Sequence, residues 1–271
     1  MHRLVRKVRF SVELFWAWPR CAGEAASSGA NSYGGRPCGE GLCLFFELSV
    51  GLAGAADEET GLVINVMDID KLVRQYAVPV FVQGVQEAFR SGRRLKICET
   101  AGLLASLRDV LKERFSGAML TELGLGLNPY RKIAFDCEDM KMYYFSEKFD
   151  FAAMHKLWNE RFSEQKNLEV FGKCANPNGH GHNYVVEVTI KAATDEDIRI
   201  GDFEGVVDGE FVKLVDHKNL NADVTALAGI NPTIENLAEF AWDRLNGRFG
   251  AAKLHSVSIW ESDRTSCTYY G

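Results

Sequence analysis

Positive charge is in short supply in this chain of 271 residues. It has 31 lysines and arginines against 37 aspartates and glutamates, a formal net charge of −6. Nucleic-acid binders need a basic patch that tracks phosphates, and none stands out. Lys112, Arg114, Arg131 and Lys132 are scattered and read as a solvated face. Long apolar runs are also missing, so no membrane-spanning helix is expected. The basic, alternating start, Met1 to Phe10, has no apolar signal core and reads as a first strand. Seven cysteines, an odd number without paired spacing, argue against a disulfide framework. A reduced, cytoplasmic chain is therefore expected. Apolar residues make up 46% of the chain, enough to build the core of one large domain or two small ones.

Histidine is scarce as well, and its placement is informative. Five of the six histidines fall in the second half. His180 and His182 flank Gly181, and the residues after Asn183 alternate: apolar Tyr184, Val186, Val188 and Ile190 with polar Glu187, Thr189 and Lys191. This is the pattern of a half-buried strand. Side chains two apart on a strand share a face, so the two imidazoles point the same way. A third histidine, His155, ends an upstream apolar stretch. Two imidazoles on one strand and one from a neighbour form the three-ligand set of catalytic zinc, which leaves one position open. A His-Gly-His pair alone is a weak signal, because many such pairs are structurally satisfied histidines. The surrounding glycines favour close backbone approach to a ligand.

Five motifs extend this site. They are Phe151-Ala152-Ala153-Met154-His155, the run from Phe171-Gly172-Lys173-Cys174 through His180-Gly181-His182-Asn183-Tyr184, Asp216-His217-Lys218-Asn219-Leu220, Pro232-Thr233-Ile234-Glu235-Asn236 and Trp260-Glu261-Ser262. In order and spacing they resemble the 6-pyruvoyltetrahydropterin synthase family and its bacterial relatives, the 6-carboxytetrahydropterin synthases. The resemblance covers about residues 141–271.

The resemblance implies a zinc-dependent lyase. Its substrate would be 7,8-dihydroneopterin triphosphate and its product a 6-substituted tetrahydropterin, with triphosphate lost. It implies zinc on His155, His180 and His182, Cys174 as the base, and Asp216 and His217 as proton-relay partners. Glu261 would anchor the 2-amino and N3–H donors of the pterin through two parallel hydrogen bonds. Thr233 and Glu235 would face the pterin, although Glu235 equally suits a helix's first turn. Five residues separate Cys174 from His180, as in the pyruvoyl type; the carboxy type of queuosine and 7-deazaguanine synthesis usually has three. Two readings of other kinds compete: a barrel that binds a pterin or purine without turnover, and a structural zinc protein. The second lacks the fourth protein ligand that closed sites have.

The first half reads as a worn copy of the second. Gly41–Val50 aligns with Gly181–Ile190, Glu99–Phe115 with Thr233–Phe249, and Gly61–Val73 with Gly205–Val215 after two gaps. In this alignment Trp16, Glu40 and Leu42 stand at the three histidine positions, Gly34 near Cys174, Ala101 at Glu235 and Leu127 at Glu261. The alternative is chance agreement of strand and helix periods. Each half reads strand, loop, strand, strand, helix, helix, strand, and residues 18–36 read as loop. The implied fold class is α+β: two tandem tunnelling-fold units, each an antiparallel four-stranded sheet with two helices on one face. Residues 1–139 would be a repeat without metal ligands and residues 140–271 the active domain. Family units close into barrels, so a homo-oligomer is expected, a trimer of two-repeat chains.

Overall fold

The computed structural model describes residues 1–14 and 43–271. The loop expected at 18–36, and Trp16, Gly34, Glu40 and Leu42, lie outside the described residues. Two compact units emerge. One holds residues 1–145 with 193–198, the other residues 146–192 with 199–271.

In the first unit β1 (His2–Val12), β2 (Leu44–Gly54), β3 (Ala118–Asn128) and β4 (Arg131–Asp136) pair antiparallel in chain order. Alternation decides which face is buried. Val8, Phe10 and Val12 on β1, and Phe46, Leu48, Val50 and Leu52 on β2, point into the core. Lys7 and Arg9 point away and meet Glu47 at 2.8 and 2.9 Å. Helix α1 (Val66–Leu72) starts at Asn65, whose side chain caps the Met67 amide. It runs through an i→i+5 turn at Val73–Ala77 into α2 (Val78–Arg90), and α3 (Ile97–Leu111) follows. Phe81 of α2 sits edge-on to Phe10 and Phe46, at 5.8 and 5.1 Å, and ties helix to sheet.

The second unit repeats this order. Strand β5 (Met142–His155) is followed by a short helix α4 (Glu164–Phe171) and a 3-10 turn at Gly172–Ala175. Then come β6 (His180–Ala193), α5 (Ile200–Val207), an i→i+5 turn at Asp208–Val212, α6 (Lys213–Val215) and the two-residue β7 (Lys218–Asn219). Helix α7 (Ile234–Leu245), β8 (Lys253–Ser262) and β9 (Thr265–Tyr269) complete it. The sheet order is β5-β6-β8-β9, with β7 parallel against the end of β5.

Both helical stretches solve one packing problem. Ile69, Val73, Ala77, Phe81 and Val85 recur every four residues, as do Phe203, Val207, Phe211 and Val215, and all are buried. On an α-helix of 3.6 residues per turn each step of four overshoots by about 40°, so the stripe would rotate off the sheet. The wider i→i+5 turn in each stretch takes up the excess and keeps the stripe inward.

The element order differs from the expected one: each unit has two strands, then helices, then two strands. The third strand expected before the helices is absent: α1 follows β2 directly and α5 follows β6 directly. The sheet is open. Strand β1 pairs only with β2, and β9 only with β8, among the described residues.

Candidate active site

The last residue of β5 and the first residues of β6 lie at one end of the second unit's sheet. The turn that leads into β6 needs Gly179. Its φ is +70°, and a Cβ there would come 2.9 Å from the His155 carbonyl oxygen. With glycine in place, β6 enters close beside β5. Alternation then puts His180, His182 and Tyr184 on the face that carries Phe151, Ala153 and His155. Phe151 stacks on Tyr184 at 4.9 Å, and Phe211 meets Phe151 edge-on at 5.5 Å.

One ligand nitrogen from each of His155, His180 and His182 fits within a cluster no more than 4.8 Å across. The Nε2 atoms of His155 and His180 lie 3.1 Å apart. Three nitrogens held about 2.0–2.1 Å from one ion at tetrahedral angles would lie about 3.3 Å from one another. His155 is 2% exposed, and its Nδ1 bonds the Pro232 carbonyl at 2.6 Å. A carbonyl only accepts, so Nδ1 carries the proton and Nε2 keeps its lone pair toward the cluster. His182 Nε2 and His180 Nδ1 are buried without a hydrogen-bond partner among the described residues. Burial, reinforced by the neighbouring imidazoles, lowers the pKa of His155 and of His180. Converging imidazoles with an orphaned buried nitrogen suit a borderline-soft divalent cation, and the group could hold a metal ion.

Cys174 lies in the 3-10 turn before β6 and is a free, partly buried thiol. Its carbonyl accepts the Leu157 amide at 2.9 Å, which fastens the turn to the segment after β5. Glu261 comes from the far end of β8. Val185 pairs with Trp260, so Glu261 falls beside Tyr184, on the histidine face. The charge effects agree. Burial raises the Tyr184 hydroxyl, and Glu261 and Cys174 add to the rise; Glu261 also works to raise His180. The triad, Cys174 and Glu261 therefore share one neighbourhood.

Asp216 and His217 form a pair elsewhere. His217 Nδ1 meets the Asp216 carboxylate at 2.9 Å, and the other Asp216 oxygen accepts the Ala152 amide at 2.9 Å. These bonds hold the Asp216 carboxyl below its usual range, the Ala152 amide contributing most. The pair sits on a turn at the edge of β5. The His217 side chain is 82% exposed, and His217 is the one described non-glycine residue with positive φ, +56°. Its hydrogen bonds go to Asp216 and Ala152, and none reaches Cys174. Thr233 is the N-cap of α7, its hydroxyl accepting the Asn236 amide. Glu235 is exposed in the first turn of that helix, and its charge helps raise Cys267. No hydrogen bond among the described residues brings Thr233 or Glu235 to the triad, and both fit a helix start.

A family model described as 6-pyruvoyl tetrahydropterin synthase matches residues 144–271. The 6-pyruvoyl tetrahydrobiopterin synthase of Homo sapiens is 37% identical over 130 residues, 46% of this chain and 90% of that protein. The chain belongs to the 6-pyruvoyl tetrahydropterin synthase family. The 6-carboxy-5,6,7,8-tetrahydropterin synthase of Aquifex aeolicus is 28% identical over 159 residues, 46% of this chain and 95% of that protein. A solved structure of the Caenorhabditis elegans 6-pyruvoyl tetrahydropterin synthase is 31% identical, covers 48% of this chain and 96% of that one, and superposes with a TM-score of 0.45. All of these matches leave about half of the chain uncovered. This pterin synthase relative has no helix among its described residues long and apolar enough to cross a membrane.

Sequence reasoning did not single out the Pro232 carbonyl or Tyr184 as parts of the site. Tyr184 was legible, since it continues the alternation of His180 and His182. A backbone carbonyl carries no residue-type signal.

Proposed function

We propose that the second unit is a zinc-dependent lyase that converts 7,8-dihydroneopterin triphosphate into a 6-substituted tetrahydropterin with loss of triphosphate. The convergence of three imidazoles on one sheet face, in the neighbourhood of Cys174 and Glu261, carries this reading. Zn2+ on His155, His180 and His182 would supply a Lewis acid for the hydroxyl oxygens of the substrate side chain. Glu261 accepts two parallel hydrogen bonds from the pterin's 2-amino and N3–H groups, which orients the ring. Cys174 takes the proton from the carbon beside those hydroxyls. Asp216 holds His217 in one tautomer, and His217 relays protons. Since His217 is exposed and does not reach Cys174 of its own chain, that role falls in the site of a neighbouring copy. Five residues between Cys174 and His180 favour the pyruvoyl product over the carboxy product.

The first unit serves as a companion without chemistry. Shared element order, the wide turn at the same place and the same four-residue stripe support descent by duplication. Open edges at β1 and β9 suit closure of the sheets between chains, and three chains would supply six units. Incubating zinc-loaded protein with dihydroneopterin triphosphate and identifying the product by mass tests the reading. A 6-carboxy product would reassign the reaction, and tight binding without turnover would make the site a pterin-binding module.

A further inference from the structure

The dipeptide Asn-Gly occurs twice in the second unit, at Asn178-Gly179 and at Asn246-Gly247. An asparagine side chain carries an electrophilic carbonyl carbon, and the amide nitrogen of the next residue can reach it. Glycine in that next place has no Cβ to crowd the approach. Both asparagines are exposed, so residue type and solvent contact do not separate the two pairs. Their places in the local turn do.

Asn246 and Gly247 follow α7 and are the central residues of a β-turn. The Arg248 amide closes it on the Leu245 carbonyl at 3.1 Å. Asn246 has φ −61° and ψ 130°, and Gly247 has φ +76°. These are the central dihedrals of a type II turn, with glycine where positive φ is required. The peptide joining the two central residues stands across the turn, so its N–H meets no carbonyl. The Gly247 amide accordingly has no hydrogen-bond partner among the described residues, and neither has the Asn246 side chain. In the other pair glycine holds the closing position. Gly179 donates its amide to the Asn176 carbonyl at 2.9 Å, and Asn176 Oδ1 holds the Asn178 amide at 3.0 Å. Gly179 also sits against the His155 backbone, which leaves it little room to turn.

We infer that Asn246 is a site of spontaneous deamidation, and that the fold protects the same dipeptide beside the triad. Solvent base takes the proton of the Gly247 amide, and the nitrogen attacks Asn246 Cγ. The new C–N bond closes a five-membered imide, and the side-chain nitrogen leaves as ammonia. Water then opens the imide. Cleavage of the new bond leaves aspartate at position 246. Cleavage of the original peptide bond leaves isoaspartate, with the chain running through the side-chain carbon. The sum is an amide and water giving an acid and ammonia, with no oxidant or reductant. Attack by the Gly179 nitrogen requires its turn hydrogen bond to open first. The product carries a carboxylate at the C-terminal end of α7, where the helix dipole disfavours negative charge. None of these steps involves the triad or its proposed reaction.

Full-length protein is incubated at pH 6 and at pH 8.5, and both asparagines are followed by peptide mass mapping and isoelectric focusing. In the folded protein the Asn246 peptide should convert to its aspartate and isoaspartate forms, faster at the higher pH, with a new acidic band. The Asn178 peptide should convert about fivefold to tenfold more slowly, the weight of one hydrogen bond. In urea, where no turn protects either pair, the two rates should converge. Asn246→Gln should remove the acidic band, because the longer side chain closes its ring slowly. An acidic band that persists in Asn246→Gln, or equal conversion of Asn178 and Asn246 in the folded protein, overturns the inference. So does an Asn246 that stays intact in the folded protein while the urea-unfolded chain converts.

Discussion

At the residue scale the triad divides its labour unequally. His155 is buried and bonded to Pro232, so it belongs to the core as much as to the site. His180 is less enclosed, and its Nδ1 has no partner among the described residues. His180→Ala should therefore abolish metal binding, measured by elemental analysis, while circular dichroism stays that of the parent. His155→Ala should lower the melting temperature as well. The metal-free protein should also be acid-sensitive. Burial sets the folded pKa of both His155 and His180 below 6.5. Above that value neither state takes up a proton and stability is flat. As pH falls below about 6.5 the unfolded chain binds protons that the folded one refuses, so stability drops until the folded pKa is passed. Melting temperatures from pH 8 to pH 5 check this, and a flat profile would contradict it. Cys174→Ala should remove turnover and keep the metal; loss of metal would make the thiol a fourth ligand. Tyr184→Phe should alter stability by no more than about 1 kcal/mol in chemical denaturation, because its buried hydroxyl has no partner among the described residues.

At the element scale the site depends on how tightly β6 approaches β5. The whole allowance is made at Gly179. Replacement by alanine meets two penalties: a left-handed conformation costing about 1–2 kcal/mol, and a Cβ pressed 2.9 Å from the His155 carbonyl oxygen. Gly179→Ala should destabilise the fold by at least that amount and weaken metal binding, because relief of the clash displaces His155 or His180. Gly181→Ala is the control. Its Cβ would find its nearest neighbour at 3.5 Å, an ordinary contact, so its effect should be smaller. Equal effects of the two substitutions would remove the argument from backbone approach.

At the scale of the whole molecule the question is what the first unit contributes. Among the described residues the one group able to hold a metal is in the second unit. About one zinc per chain is expected, and two tightly held zincs would place a site in the first unit too. Leu127, aligned with Glu261, is half-buried and not enclosed, so its replacement by glutamate should cost less than the roughly 1–3 kcal/mol of a buried unpaired group. Ala101, aligned with Glu235, is fully buried in α3 and marks where the first unit has packed its helix. Residues 140–271 expressed alone should aggregate or change assembly by light scattering. A fragment with the parent's mass and full turnover per zinc would make the first unit dispensable.

What the sequence determined by itself was periodicity and residue type. Alternation around Tyr184–Ile190 required a strand and set His180, His182 and, by extension, Tyr184 on one face. Glu235 suited the first turn of a helix, and it sits in the first turn of α7. The four-residue stripes at Ile69–Val85 and Phe203–Val215 are present in the letters too, but a period of four exceeds the 3.6 of an α-helix and fits a helix only when a wide turn is allowed. Long-range packing decided the rest. Pro232 lies 77 residues from His155, yet its carbonyl selects the imidazole tautomer. Glu261 joins the site only through the register of β8 on β6. Asp216 and His217 look like neighbours of Cys174 when the motifs are read in order, but the β5–β7 pairing places them on the strand's outer edge. The loop at Lys156–Arg161 takes its shape only when Asn167, Asn221 and Asn231 bond its backbone. Each of these depends on backbone polar groups finding partners far away in the chain, and every residue carries those same groups, so no letter of the sequence announces them.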